Sequence, residues 1–294
     1  MAINASTSAL QPAYLANARN SAQPTLCLHC STGSSKQWRS LAARLGQRRR
    51  IIAPDLLGYG DNPPWPRGRS LRLEEEVHRL LPLLASATRP VDVVAHSFGA
   101  AVAVKLALEY PEKVRSLCLY EPVLLGLLNE DAGSTSAFSE ILMMSAKVAR
   151  SLSDGDADRA AARFIDFWSG DGTWESMPEA RREKVRARIQ KVRADFDALL
   201  ADDTTLADLA RLDIPVLCLS GARSPAATRR IADLLAITLP RAESRRFEQA
   251  GHMGPLTHAR TVDASIEKFF KFLARQGKHW GDATPYTPFT AHAA

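Results

Sequence analysis

The sequence predicts an α/β fold: a mostly parallel sheet with helices on both faces. Three observations carry this. Short, nearly continuous apolar runs recur between stretches whose leucines and alanines repeat at helical spacing. Those runs lack the in-out alternation of a sheet with one wet face, so helices must cover both faces. Between residues 124 and 213 no strand pattern appears, which makes that block a helical insertion between two strands.

In chain order, "PTLCLHC" (24–30) is the first clear strand, followed by a helix near Gln37 to Leu45. The run "RRIIAPDL" (49–56) is the next strand, and a Gly/Pro-rich loop follows it. Residues 72–86 repeat leucine at helical spacing, with Pro82 expected to bend or shorten the helix. A strand at 91–95 and a helix at 99–110 come next, then a strand within 115–123. In the insertion, Val185, Ile189, Val192, Phe196 and Leu199 form one apolar stripe, and the arginine- and lysine-rich opposite face is expected to be solvated. The strand 214–220, a helix near 226–238, an edge strand at 243–248 and a helix at 261–275 complete the pattern. The expected divisions are 1–128 and 211–275 for the core, 129–210 for a helical cap and 276–294 for a loose polar tail. "AYLANAR" (13–19) is the only candidate for a further strand near the N-terminus.

Bulk properties narrow the function classes. A chain of 294 residues, 46% hydrophobic and 24% charged, suits a globular enzyme. No apolar run approaches the roughly 20 residues of a membrane span, and no basic and apolar leader opens the chain, so a cytoplasmic location is expected. Net charge is +6, with arginines in short scattered clusters (48–50, 181–182, 229–230, 245–246) that read as solvated helix faces. Nucleic-acid binding would need them gathered on one stripe with aromatic platforms. Cys27 and Cys30 match C-x-x-C, but there is no second pair for zinc and no helix N-terminus for redox work, so four buried thiols are expected. Gly58 and Gly60 lack the spacing of a dinucleotide loop. The expected partner is a small-molecule substrate, with no nucleic acid, membrane or cofactor, organic or metal. Oligomerisation, a homodimer included, has no sequence signal.

The chemistry concentrates in "VDVVAHSFGAAVAVKLALEYP" (91–111), where a β-branched run turns at Ser97 straight into a helix. Close packing of strand on helix at such a bend needs small residues two before and two after, here Ala95 and Gly99. This is the nucleophile-elbow pattern G-x-S-x-G with alanine first. A serine hydroxyl needs a neighbouring base, and His252 in "QAGHMGP", on a glycine-flanked loop after the last strand, is the candidate. His96 abuts Ser97, but adjacent residues on a sharp turn diverge, so pocket lining or packing is expected of it.

With "LHCSTGSSKQW", "APDLLGYGDNPP", "AHSFGAAVA" and "AGHMGP" in this order, the chain resembles the α/β-hydrolase superfamily over roughly residues 13 to 274. The resemblance implies a capped serine hydrolase with the order Ser97, acid, His252. Relatives often carry the acid after their seventh strand as G-x-x-D, but here Gly221 is followed three later by Ser224. The superfamily's other position, just after the sixth strand and used by some haloalkane dehalogenases, holds Glu121, which is therefore assigned as the orienting acid. Asp202 and Asp203 are weaker substitutes. The resemblance also places an oxyanion hole at the N–H groups of Phe98 and Ser31, with Cys30 in place of the usual glycine. His29 is expected to hold its loop, and Asp55 to cap its own. Dehalogenases and epoxide hydrolases of the superfamily use aspartate at the elbow; serine instead forms an acyl-enzyme. The expectation is a hydrolase of small to medium apolar carboxylic esters. The alternatives are a C–C bond hydrolase of a diketone-like substrate and a non-catalytic ligand-binding protein. Trp38, His96, Phe167, Trp168 and Trp174 are the expected pocket residues.

Overall fold

Among the described residues every strand but one runs in the same direction, which is what apolar strands joined by helical crossovers require. The computed structural model of the chain describes residues 13–14, 22–87 and 89–276. Its strands are β1 (Ala13–Tyr14), β2 (Gln23–Leu28), β3 (Arg49–Ala53), β4 (Val91–His96), β5 (Val114–Tyr120), β6 (Val216–Gly221) and β7 (Ala242–Phe247). They form one sheet in the order β1-β3-β2-β4-β5-β6-β7, with β1 antiparallel to β3 and every other pair parallel. This is the α/β-hydrolase fold, with helices on both faces. Residues 15–19 of the candidate N-terminal strand and 277–294 of the expected tail lie outside the described residues.

Strand residues alternate between two cores. Leu26, Leu28, Val93, Ala95, Leu117 and Leu119 face one; Cys27, Val94, Cys118, Leu217 and Leu219 face the other. The second core packs beneath α1 (Arg39–Leu45) and the last helix, which contributes Phe269 and Phe270. Over the first core lie α2 (Leu73–Ala85) and α3 (Phe98–Glu109). Helix α3 is buried on all sides from Phe98 to Ala107, and its Ala/Val composition allows that close packing. Pro82 does not shorten α2: it falls in the last turn, so few helical bonds remain downstream of it.

Between β5 and β6 the chain is helical among the described residues. The helices are α4 (Leu125–Glu130), α5 (Thr135–Ser153), α6 (Ala157–Ser169), α7 (Thr173–Ser176), α8 (Glu179–Arg186), α9 (Ile189–Ala201) and α10 (Leu206–Ala210). After them come α11 (Ala226–Thr238), α12 (Gly254–Thr257) and α13 (Ala259–Gln276). The predicted stripe from Val185 to Leu199 is buried throughout. Most of the basic opposite face is open to solvent, Lys184 and Arg193 included, but Lys191 departs from that expectation: it and Asp195 of α9 are each 1% exposed. The arginine expectation also needs correcting. Arg49 and Arg50 lie on β3, Arg245 and Arg246 on β7, and Arg49 is buried. Its guanidinium pairs with Asp92 and stacks on the Phe270 ring at 3.6 Å, so a central-strand carboxylate keeps a cation inside.

Candidate active site

Strand register brings three chain segments side by side. His96 is the register partner of Tyr120, which pairs with Leu219. The next residues extend the ladder: Ser97 N–H donates to the Tyr120 carbonyl and Glu121 N–H to the Leu219 carbonyl, both at 3.0 Å. Neighbouring parallel strands lie about 4.8 Å apart, so the residues ending β4, β5 and β6 share one edge. The crossover also reverses between β2 and β4, which opens the crevice where such sheets place their chemistry.

Ser97 sits at φ 57, ψ −122, a conformation costly for a residue with a side chain, on the order of 1–3 kcal/mol. The strain is held by close packing. A Cβ on Gly99 would come within 2.4 Å of the His29 carbonyl oxygen, which is why the second small residue of the elbow must be glycine. Glu121 is also left-handed, at φ 44, and its side chain is fully buried.

The side chains meet in one line. Ser97 Oγ is 2.9 Å from His252 Nε2, and His252 Nδ1 is 2.7 Å from Glu121 Oε2. The other carboxylate oxygen, Oε1, accepts from Gly221 N–H at 2.6 Å and the Ser224 hydroxyl at 2.5 Å. Both oxygens are therefore satisfied without solvent. Ser224, three residues after Gly221, where the resemblance sought an acid, donates instead to Glu121. A Cβ on Gly221 would meet the Ala250 carbonyl at 2.3 Å, so this glycine lets the histidine loop lie against the end of β6. A carboxylate oxygen against Nδ1 suits the tautomer with its proton there, which leaves Nε2 free to accept from Ser97. Asp202 and Asp203 lie elsewhere, paired with Lys105.

A second chain of bonds ties the loops together from below. His96 Nε2 is 2.8 Å from the His252 carbonyl, and His96 Nδ1 is 3.1 Å from Gln37 Nε2. Gln37 Oε1 accepts from Cys30 N–H at 3.2 Å. Burial, and then the neighbouring His252, pushes the His96 pKa well below its ordinary value, so the ring is neutral. Its Nε2–H donates and its Nδ1 accepts. His29 is likewise held neutral, its pKa lowered to about 4 chiefly by burial. It accepts Leu56 N–H at 2.9 Å and donates to the Cys30 carbonyl at 2.8 Å. Asp55 accepts from the Ser35 and Asp61 amides and so caps its loop.

These bonds decide which amides face the nucleophile. Cys30 N–H is taken by Gln37 and Gly33 N–H by the Cys30 carbonyl. Ser31 N–H, between them, has no hydrogen-bonded protein acceptor among the described residues. Phe98 opens α3, where the helix itself leaves the first N–H groups unpaired. Ser31, Ser97 and Phe98 line one small cavity of about 10 Å³, room for about one water molecule at most, together with Val123, Phe164 and Trp168.

A much larger cleft of about 1200 Å³ lies beyond it, lined in part by Cys30, Phe167, Met177, Arg223 and His252. Trp168 borders both spaces, and its indole lies on the His252 imidazole with ring centroids 4.2 Å apart. Of the five expected pocket residues, Phe167 and Trp168 line these cavities. Trp38 does not: it is 2% exposed in the core beneath α1 and α13. Trp174 is buried in the main core, where its amide donates to Asp166. His96 points beneath the histidine loop and lines neither cavity. The four cysteines are buried and free, and burial raises the Cys30 thiol to about 12. No group of three His, Cys, Asp or Glu side chains suited to a metal occurs among the described residues. No helix there is long and apolar enough to cross a membrane.

The alpha/beta hydrolase family model matches residues 25–264, most of the chain and all of the segments just described. The chain belongs to the alpha/beta hydrolase family. Within that family it is similar to a 2-hydroxymuconate semialdehyde hydrolase from Pseudomonas putida, with 26% identity over 260 residues, 84% of this chain and 86% of that one. Two solved structures share the fold. One is a 2-hydroxy-6-oxo-6-phenylhexa-2,4-dienoate hydrolase from Rhodococcus sp. strain RHA1 (TM-score 0.66, 20% identity, 86% of this chain and 92% of that one). The other is a thermophilic esterase from Thermogutta terrifontis (TM-score 0.66, 21% identity, 85% of this chain and 89% of that one).

Sequence reasoning missed Tyr59, Gln37, Asp195 and the work of Ser224. Only Ser224 left a signal, a hydroxyl standing three residues after Gly221 where an acid was sought.

Proposed function

We propose that this hydrolase cleaves small to medium apolar carboxylic esters through an acyl-enzyme on Ser97. The observation that carries the reading is the unbroken line from Ser97 through His252 to Glu121. His252 Nε2 takes the hydroxyl proton as Oγ attacks the carbonyl carbon, and Glu121 stabilises the imidazolium that forms. The oxyanion lies between the N–H groups of Phe98 and Ser31, each such donor contributing about 3–4 kcal/mol of barrier reduction. His252 then protonates the leaving alcohol. Water enters along the same path and gives a proton to His252, which passes it to Ser97 Oγ as the acyl–Oγ bond breaks and the acid leaves.

The helices between β5 and β6, residues 129–210 in the main, act as a cap over the site. Substrate enters from the large cleft, and Trp168 turns aside to join that cleft to the nucleophile's cavity. Gly170 at φ 102 and Gly172 at φ 77, just after α6, are the pivot that such a motion needs. The apolar character of the inner walls (Val123, Phe164, Phe196 and Leu199) favours an apolar acyl group.

A second reading has an observation of its own, the similarity along most of the chain to a semialdehyde hydrolase. A semialdehyde need not carry an ester, so on a substrate of that kind Ser97, His252 and Glu121 would serve hydrolysis of a C–C bond beside a carbonyl. A p-nitrophenyl ester series and a vinylogous diketone, each against wild type and Ser97→Ala, separates the readings. An ester chain-length optimum lost in Ser97→Ala supports the first. Diketone cleavage with negligible ester turnover replaces it by the second. Labelling of Ser97 by a fluorophosphonate with neither turnover points to a binding protein.

A further inference from the structure

A set of buried charges between α9 and the sheet takes no part in the Ser97–His252–Glu121 line. Lys191 Nζ bonds Asp195 Oδ1 at 2.5 Å and Glu76 Oε1 at 3.1 Å, and all three side chains are almost fully buried. The other oxygen of Asp195, Oδ2, accepts two hydroxyls, from Ser31 at 2.5 Å and from Tyr59 at 2.6 Å. Buried ion pairs are a poor source of stability compared with apolar packing. What this one supplies is position.

The position concerns the turn from Cys30 to Gly33, closed by Gly33 N–H on the Cys30 carbonyl at 3.0 Å. Thr32 sits there at φ 61, a region that β-branched residues avoid. A tight turn with positive φ at its third residue favours glycine, and another residue there is eased by rotating the preceding peptide into a different turn type. That rotation changes Ser31 ψ and Thr32 φ and so disturbs the seat of Ser31, whose own N–H lies in the preceding Cys30–Ser31 peptide. Ser31 is pinned through its side chain by one carboxylate. The Ser31 hydroxyl bonds Asp195 directly, and the Tyr59 hydroxyl bonds the same oxygen. Asp195 and Ser31 also border the cavity that holds Ser97.

We infer that Asp195 is a positioning residue which, from the helical insertion, holds the strained Ser31–Thr32 turn so that Ser31 N–H faces the reacting carbonyl oxygen. The oxyanion site is then complete only while α9 is docked on the sheet. The inference rests on the serine-hydrolase reading above.

The test compares Ser31→Ala, Ser31→Thr, Tyr59→Phe and Asp195→Asn by p-nitrophenyl ester kinetics, affinity for an alkylboronic acid and thermal melting. The boronic acid forms a tetrahedral adduct on Ser97 and so reads the oxyanion site without turnover. Ser31→Ala is expected to lower kcat about tenfold or more, to weaken the boronic acid by the same factor, and to leave KM within about threefold. Ser31→Thr, which keeps the hydroxyl, restores both. Tyr59→Phe keeps the Ser31 bond and falls between. Asp195→Asn matches or exceeds Ser31→Ala; should it fail to fold, the Ser31 pair still decides. The inference is overturned if Ser31→Ala keeps kcat and boronic acid affinity within threefold of wild type while Ser97→Ala is inactive. A fall in kcat without a matching loss of boronic acid affinity overturns it as well. Failure of the underlying reading looks different, since wild type would then neither turn over the ester nor bind the boronic acid.

Discussion

Replacing Glu121 by glutamine changes one atom, and the structure dictates which way the new amide faces. At Oε1 two donors converge, Gly221 N–H at 2.6 Å and the Ser224 hydroxyl at 2.5 Å. Only the amide oxygen can stand there, so the NH2 must take the Oε2 position, 2.7 Å from His252 Nδ1. An NH2 group donates and cannot accept, so Nδ1 must give up its proton, and the neutral ring carries it on Nε2 instead. That nitrogen then faces Ser97 as a donor and cannot take the hydroxyl proton. An acid-to-amide exchange that traps this tautomer costs a serine triad about ten-thousandfold in kcat. About a thousand- to ten-thousandfold is expected here, or roughly 4–5.5 kcal/mol of barrier. The hydrogen-bond count is preserved and a buried charge removed, so the melting temperature should change little or rise. Ester turnover at pH 7–8 with a melting curve on the same sample checks this. A folded Glu121→Gln enzyme within tenfold of wild type would refute the assignment of the acid, because no other carboxylate among the described residues bonds His252 Nδ1.

Further predictions follow from buried groups. Trp168→Ala should join the two cavities, shift the ester optimum to longer acyl chains and change the long-to-short preference by about tenfold or more; an unchanged chain-length profile would count against Trp168 as the partition. Lys191→Met strands Glu76 and Asp195 and should cost about 3–5 kcal/mol in urea unfolding at pH 7. Burial raises the pKa of both carboxylates in the folded state, so the folded form takes up protons first as pH falls. The deficit of Lys191→Met should therefore shrink between pH 7 and 5, and an equal deficit at both pH values would contradict the argument. Burial also raises Glu243 on β7 to about 7, with one carboxylate oxygen unpartnered. Its ionisation costs stability progressively from the unfolded value near 4.3 up to 7, so Glu243→Gln should melt higher at pH 8, by at most about 2 kcal/mol after solvent screening, and identically at pH 4.

What the sequence made legible was local or ordered along the chain. The elbow could be read because strand, bend and helix are contiguous around Ser97 and the small residues stand at fixed offsets. The place of Glu121 beside His252 could be read because its competitor position held Ser224. Side-chain direction at the ends of elements was not legible. Trp38, His96 and Trp174 sit near the right loops in sequence, yet one full turn or one strand residue decides between cavity and core. Asp195 was hidden for a different reason. The stripe on α9 was traced through its apolar members, but the buried surface also takes in Lys191, Ala194, Asp195 and Ala198. Its partner Ser31 lies 164 residues away, a pairing that helical periodicity cannot encode.

The placement of the acid after β5 follows from the sheet itself. β5 and β6 are adjacent and in register, so a carboxylate at the end of either strand approaches the same imidazole from positions one strand spacing apart. The choice is settled by what the unused strand end provides. With an acid at 224, a carboxylate at 121 would meet a like charge at hydrogen-bond distance and one of the two would have to stay protonated. With serine there, the end of β6 becomes a pair of donors, Gly221 N–H and Ser224 Oγ–H, aimed at one carboxylate oxygen. These bonds fix the rotamer that presents Oε2 to His252. The left-handed backbone of Glu121, at φ 44, is the cost of bending the chain away from the sheet just where that side chain must reach across β6. Serine at 224 and glutamate at 121 are thus two halves of one arrangement, and exchanging either alone removes the reason for the other.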